Sequence, residues 1–583
     1  MNGSRESVTE RIHHRLARLY GTPRSGRLCR RLELLAGRYR EDLPTLAGEP
    51  CWDQRTSVLI AYGDIVRSDG EPPLETLHRF LDERVGEAIR HLHLLPFFPS
   101  SSDEGFSVID FRRVDPALGE WRQVESLARR WPLLVDLVLN HASSQSEWFH
   151  HFCAGVAPYR DYFITVDPEQ WDLSQVVRPR SSPLLTPATT PWGVRQVWTT
   201  FSADQVDLNF ANPDVLFEFL DILLLYILHG ARIIRLDAIA YLWKRSGTPC
   251  IHLPETHQVV KLLRDVVDWL APGTLILTET NVPHAENVSY FGKGDEAHLI
   301  YQFSLPPLLL HALLRGDASH LIHWLEHLEA PPPGCSYLNF TASHDGIGVR
   351  PLEGLLPEEE LEWLVEQIHR RGGLVSHYQA PDGSLRPYEL NISWFEAMGD
   401  GSTPANGEQI ARHLCAQTLM LSLQGVPALW FHLLTATPND REAVERTGQA
   451  RSINRHRWDL VHLEELLEHH EATRSVFDGL LQRLRIRAAE PLFSPEVPQR
   501  IERIDSRIVA LVREREGERL LVLANLSGER LEAALPDSLG GRWRDLLQPE
   551  CRTEDEAAVP LAPWQVRWLR EDADAGGRCP PPR

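Results

Sequence analysis

Along most of the chain, short apolar runs alternate with longer stretches in which apolar positions recur every three or four residues. The runs are SVLIAYGDIV, AIRHLHLLPFFP, PLLVDLVLNH, ARIIRLDAIA, GTLILTETN, LIYQFSLP, SYLNFTASHD and GVPALWFHLL. Such runs suit parallel strands buried on both faces, and the periodicity between them, as in LEWLVEQIHR before the last run, suits helices. Eight units of this kind predict an α/β chain folded as a (β/α)8 TIM barrel in preference to a doubly wound sheet. The gap from about His141 to Asn209 is too long, and too rich in Pro, Trp and Ser, for an ordinary connection; it predicts a small inserted domain after strand 3. Past about Arg503, IDSRIVALVRER, ERLLVLANLS, LEAALP, WRDLL and QVRWLR alternate like short strands and predict a C-terminal antiparallel β domain. The expected organisation is an N-terminal helical segment over 1–55, a barrel over 56–141 and 210–502, the insertion over 142–209, the β domain over 503–572 and a disordered tail over 573–583.

Charge narrows the partners. The 60 basic and 81 acidic residues give a formal net charge of −21, a surface that repels polyphosphate and argues against nucleic acid. The start, MNGSRESVTERIHHRL, has no apolar run after its charges, and the most hydrophobic segment, LFEFLDILLLYIL, is short and interrupted by Glu218 and Asp221. A soluble, cytoplasmic protein without membrane contact is expected. The eight cysteines are scattered without a CxxC pair, as reduced thiols in such a compartment would be.

The chemistry starts from RIIRLDAIAY, a core strand that carries two charges, Arg235 and Asp237, on one face. In a barrel the C-terminal strand ends form the active face. Glu279 in LTETN and Asp345 in TASHDGIG stand at two further strand ends, so three acids converge on one mouth. Strands ~4.8 Å apart let Asp237 and Glu279 approach the ~5 to 5.5 Å separation of a retaining glycosidase. An Arg/Asp ion pair that merely braces the barrel is the plain alternative; three acids at three strand ends favour chemistry.

LLVDLVLNH, RIIRLDAIAY, LTETN and NFTASHDGIG resemble, in order and spacing, the four short motifs of the α-amylase superfamily. The resemblance implies Asp237 as nucleophile, Glu279 as acid/base and Asp345 as transition-state stabiliser, with Arg235, His141 and His344 orienting the nucleophile and holding the glucosyl hydroxyls. SSDEGFSVIDF and SINRH are similar to segments of sucrose phosphorylases, which implies a clamp on the terminal glucose by Asp103 and Arg455 and an apolar wall at Phe106; Ser452 departs from the Asp of that pattern. RPR in VVRPRSSP resembles their phosphate loop and implies Arg180, with Tyr241 and Tyr388, at an anion pocket; a solvated surface turn is the alternative for that loop.

Sucrose phosphorylases commonly carry a His two residues beyond the acid/base, where this chain has Asn281, placed here among the substrate residues. The following VPHAENVSYFG, with HDGIGVRPLEG and PYELN, looks most like the glucosylglycerate phosphorylases of the same subfamily. That resemblance implies reversible phosphorolysis of 2-O-α-glucosylglycerate to α-glucose 1-phosphate and D-glycerate, with inorganic phosphate as co-substrate and no cofactor. Lys244 and Arg245 are available for the acceptor carboxylate, or are ordinary solvated charge. Phosphorylases of sucrose, sucrose 6-phosphate or glucosylglycerol, a transglucosidase or hydrolase, and a catalytically dead binding barrel are the competing readings. No metal is expected: the histidines show no ligand spacing, and Asn140 stands where some amylases bind calcium, an ion this branch generally lacks. A monomer or homodimer is expected.

Overall fold

A computed structural model describes residues 7–44, 51–379, 384–401, 405–550, 552–553 and 558–572. Eight parallel strands close a barrel: β1 (Val58–Ala61), β2 (His91–Leu94), β3 (Leu133–Leu137), β4 (Ala231–Leu236), β5 (Leu275–Thr278), β6 (Leu299–Tyr301), β7 (Ser336–Asn339) and β8 (Val426–Trp430). Each apolar run of the sequence supplies one of them, and pairing runs in chain order around the ring until β8 closes on β1. Their residues are almost all buried because the strands are covered on both faces, by side chains inside and helices outside. The helix Pro213–Leu228 is the extreme case, apolar on nearly every face and buried along most of its length before β4.

The connection into β8 differs from expectation. LEWLVEQIHR does form a helix, Glu358–Arg370, but an antiparallel hairpin (Leu374–Gln379 with Leu385–Asn391) and a second helix, Gly407–Ser422, follow before β8. The second helix was hard to read because its buried face carries His413 and Gln417, which bond to the Leu433 carbonyl and to Thr341 across the core.

Between β3 and β4 the insertion builds a three-stranded antiparallel sheet, Thr165–Val166, Leu185–Thr190 and Gly193–Trp198, and a short pair, His141–Ser143 with Gln205–Asp207, that returns the chain to the barrel. At the C-terminal end a six-stranded antiparallel sheet runs from Gln499 to Glu571. A fully buried guanidinium ties it to the preceding chain: Arg513 of the sheet donates to the carbonyls of Ser422, Ser494 and Val497; a second, Arg487 of the helix Glu471–Ala489, donates to those of Leu421, Thr56 and Phe493. Before the barrel, the helices Val8–Tyr20 and Thr22–Tyr39 bury Ile12, Leu16, Leu32 and Leu35, and Arg11 and Arg15 of the first reach Asp265. No helix among the described residues is long and apolar enough to cross a membrane. The segment 573–583 lies outside the described residues.

Candidate active site

The register of β3, β4 and β5 sets the floor of the site. Arg235 is level with Asp136 on one side and Leu277 on the other, so Asp136 and Arg235 face each other inside the barrel and Asp237 and Glu279 leave their strands side by side. Arg235 Nη1 donates to Asp136 and, at 2.8 Å, to Asp237 Oδ1. His93 Nε2 donates to the other Asp136 oxygen at 2.7 Å. Burial alone would raise the Asp136 carboxyl, but the charge of Arg235 and the bond from His93 reverse this and hold it at about 2. Arg235 is thus held from both sides, and the rings of Phe106 and Tyr301 each lie 5.7 Å from it.

Past Asp237 the chain turns sharply. Ala238 sits in the left-handed region (φ 48°), a strained position for a residue with a Cβ, and its N–H donates to Glu279 Oε2 at 2.9 Å. Burial pushes both Asp237 and Glu279 up to about 7, only partly offset by Arg235, with Asp136 and Asp345 adding to the rise of Asp237, and Asp237 and Asp345 to that of Glu279. Two adjacent carboxyls in this state share one proton near neutrality. Arg235 hydrogen-bonds Asp237 and not Glu279, an asymmetry that favours the negative charge on Asp237 and the proton on Glu279.

Asp345 has the opposite environment. Arg451 approaches it at 2.6 Å and Arg455 and His344 at 3.5 Å each. Burial would raise its carboxyl, yet these neighbours, Arg451 first, hold it far below the usual carboxylate range. Arg455 is itself fixed by a 2.7 Å bond to the His344 carbonyl and lies 4.0 Å from Asp103, so its support survives the Ser452 departure. His344 stacks on Phe106 at 5.0 Å, and burial lowers it to about 3, keeping it neutral. His141 is also kept neutral by burial and bonds through Nε2 to the Phe106 carbonyl at 2.9 Å.

The loop carrying Asp103 is stapled to the insertion. Asp103 and Glu104 both have positive φ, and the backbone is held there because Asp204 accepts from Ser101, Ser102, Ser107 and Ser144 at 2.5 to 2.8 Å. Gln205, next to Asp204, donates to Asp103 at 3.2 Å.

A pocket of about 780 Å³, its open mouth included, joins these groups. Of the residues expected from sequence, Asp103, Phe106, His141, Arg180, Arg235, Asp237, Glu279, Asn281, His344, Asp345 and Tyr388 line it. Tyr241 packs edge-on against Phe201 of the lining, and Arg455 sits beneath Asp345. Arg180 lies over the Tyr388 ring at 5.1 Å. Asn281 leaves its buried Oδ1 without a partner and packs so tightly on Gly348 that a Cβ there would fall 2.5 Å from its amide.

Two expectations need correction. Lys244 is not available to a substrate: its ammonium is buried against Asp207, the Tyr241 carbonyl and, at 3.0 Å, Asn140 Oδ1. The fully buried Asp207 carboxylate demands a counter-charge, and Lys244 is within reach. The same oxygen cluster includes Asn140, so the ammonium already fills the point where a cation would be held, and a metal does not fit. Replacing Lys244 with Met is expected to cost about 3–5 kcal/mol, the penalty of orphaning a buried charge, read as a lower urea midpoint. Arg245 does not line the pocket either; it is half exposed and paired with Glu255 at 2.6 Å.

Sequence reasoning passed over Asp136, His93, Gln205, Arg451 and Glu389, the last a lining carboxylate that accepts from Arg451 Nε at 2.9 Å. Asp136 was signalled by a lone acid in the apolar LLVDL run; the others declare themselves only through partners distant in the chain.

Residues 87–324 match the alpha amylase catalytic domain family. The chain is 44% identical to the glucosylglycerate phosphorylase of Spirochaeta thermophila across 97% of its length and 99% of that protein. It is 45% identical to the glucosylglycerate phosphorylase of Allomeiothermus silvanus across 86% and 90%. Among solved structures, the sucrose 6F-phosphate phosphorylase of Thermoanaerobacter thermosaccharolyticum superimposes with a TM-score of 0.72 at 25% identity, covering 82% of this chain and 96% of that one.

Proposed function

Because the chain belongs to the glucosylglycerate phosphorylase group, within the sucrose phosphorylase-like branch of the α-amylase superfamily, we propose that it catalyses reversible phosphorolysis of 2-O-α-glucosylglycerate with retention. The observation that carries the chemistry is the adjacent carboxyl pair: Asp237 bonded to Arg235, Glu279 bonded only to a backbone N–H, both raised by burial. Asp237 attacks the anomeric carbon as the bond to glycerate breaks, and Glu279 gives its proton to the departing glycerate oxygen. The positive charge that builds on the ring in the transition state is met by Asp345, kept ionised by Arg451. A phosphate oxygen then displaces Asp237 from the β-glucosyl ester, releasing α-glucose 1-phosphate, and a proton from phosphate restores Glu279.

The pocket lining supports this reading. Asp103 and Arg455 close one end around a single glucosyl unit, with Phe106 and His344 as its wall and His141 at its side. Arg180 and Tyr388 also line the pocket, and a guanidinium over a phenol suits an oxyanion. Glucosyl and proton transfers are all the reaction requires, so phosphate is the one co-substrate and no cofactor is needed. The six described cysteines are free thiols, which supports a cytoplasmic location.

Release of α-glucose 1-phosphate from glucosylglycerate and from sucrose, with phosphate varied about 20-fold, tests the reading. Phosphate-dependent release from glucosylglycerate, with sucrose a poor donor, is expected. Preference for sucrose would move the acceptor to fructose, and free glucose irrespective of phosphate would make the enzyme a hydrolase.

A further inference from the structure

Building on that reading, two anionic co-substrates must in turn approach a pocket lined by five acidic side chains, Asp103, Asp237, Glu279, Asp345 and Glu389, in a chain of net charge −21. Arg180 serves one of them, and Lys244 and Arg245 are engaged elsewhere. Of the other cations, Arg235, Arg451 and Arg455 are committed to the carboxylates of the glucosyl end. Arg350 remains.

It follows the short strand Ile347–Gly348, whose backbone presses against Asn281 at the acceptor end of the pocket. Its guanidinium lies 5.8 Å from the Tyr378 ring; Tyr378 meets Tyr388 edge-on at 6.2 Å, and Arg180 lies over the Tyr388 ring at 5.1 Å. Two guanidiniums therefore flank one pair of tyrosines. Arg350 is only 14% exposed, yet its buried Nε lacks a hydrogen-bond partner, since Glu353, at 3.5 Å, is poorly aligned and half in solvent. A nearly buried guanidinium with an unmet donor is an expensive arrangement unless an anion completes it.

We infer that Arg350 is a specificity-determining residue that binds the carboxylate of the glycerate acceptor, with Asn281 Oδ1 accepting from a glycerate hydroxyl. Arg180 and Tyr388 on the other side of the ring pair are left for phosphate. The planar fork of Arg350 offers a carboxylate two parallel N–H donors, which an uncharged polyol cannot use equally.

The test runs the reaction in reverse. With α-glucose 1-phosphate as donor, D-glycerate and glycerol compete in one vessel, and the two glucosides are quantified for the parent, Arg350→Gln and Arg350→Lys. The glycerate-to-glycerol product ratio is expected to fall about 10²-fold in Arg350→Gln, the scale of losing a hydrogen bond to a charged group, and to recover partly in Arg350→Lys. An unchanged ratio in Arg350→Gln overturns the inference alone. So does equal loss of both products in both variants, which marks a structural role. A parent enzyme that makes no glucosylglycerate overturns the substrate reading along with it, and this is seen before any variant is examined.

Discussion

Asp237→Ala is expected to lower turnover on the order of 10⁵-fold or more, the scale seen when a covalent nucleophile is removed, while the protein stays folded. Both halves follow from what surrounds the residue. The neighbouring carboxylates Asp136 and Asp345 are engaged: Asp136 has its oxygens occupied by Arg235 and His93, and Asp345 is held by Arg451. The fold persists because Arg235 keeps Asp136 when Asp237 is gone, so no buried charge is orphaned. Stability carries a sign of its own. Folded, Asp237 and Glu279 keep protons up to about pH 7 that the unfolded chain releases near pH 4. Within that window the native state binds more protons, so these two groups make stability fall as pH rises toward 7 and contribute no further change above it. Asp237→Asn should therefore melt no lower than the parent at pH 8, and a clear fall in Tm there would show that the Arg235 bond outweighs the burial cost.

Glu279→Gln is the second large effect, and its signature lies in the donor and the pH profile. With glucosylglycerate, whose leaving oxygen needs a proton, a loss of about 10²- to 10⁴-fold is expected from removing the general acid. Exchange of labelled phosphate into α-glucose 1-phosphate should suffer far less, since phosphate leaves and returns with little help. The parent should show a bell-shaped kcat/KM: an acidic limb as the shared site loses its first proton and a basic limb as it loses the second. Glutamine cannot ionise, so the basic limb should vanish while the acidic limb persists. A variant that keeps the basic limb would place the acid on another residue.

The barrel was legible because buried parallel strands announce themselves as apolar runs, and the charges that interrupt those runs at Asp237, Glu279 and Asp345 mark the reacting face. Less legible were the groups that set the behaviour of these acids. Arg451 governs Asp345 from more than a hundred residues away, and Asp204 immobilises the Asp103 loop from within the insertion; neither pairing leaves a local pattern. Lys244 misled for the same reason: beside Arg245 it reads as a cation available to an acceptor carboxylate or to solvent, and only the approach of Asp207 across the fold turns it inward. The hairpin that delivers Tyr378 and Tyr388 was hidden between two helices, so the ring pair separating Arg180 from Arg350 could not be anticipated.

The buried Lys244 also bears on the conditions the enzyme tolerates. A divalent ion clasped by Asn140, Asp207 and the Tyr241 carbonyl would be drawn off by concentrated phosphate, the very compound the proposed reaction consumes. Occupancy of such a brace would then decline as co-substrate accumulated, and catalysis and integrity would be set against each other through mass action. An ammonium tethered to the backbone has no such competitor: it neither dissociates nor precipitates, and the link between insertion and barrel stays indifferent to the supply of phosphate.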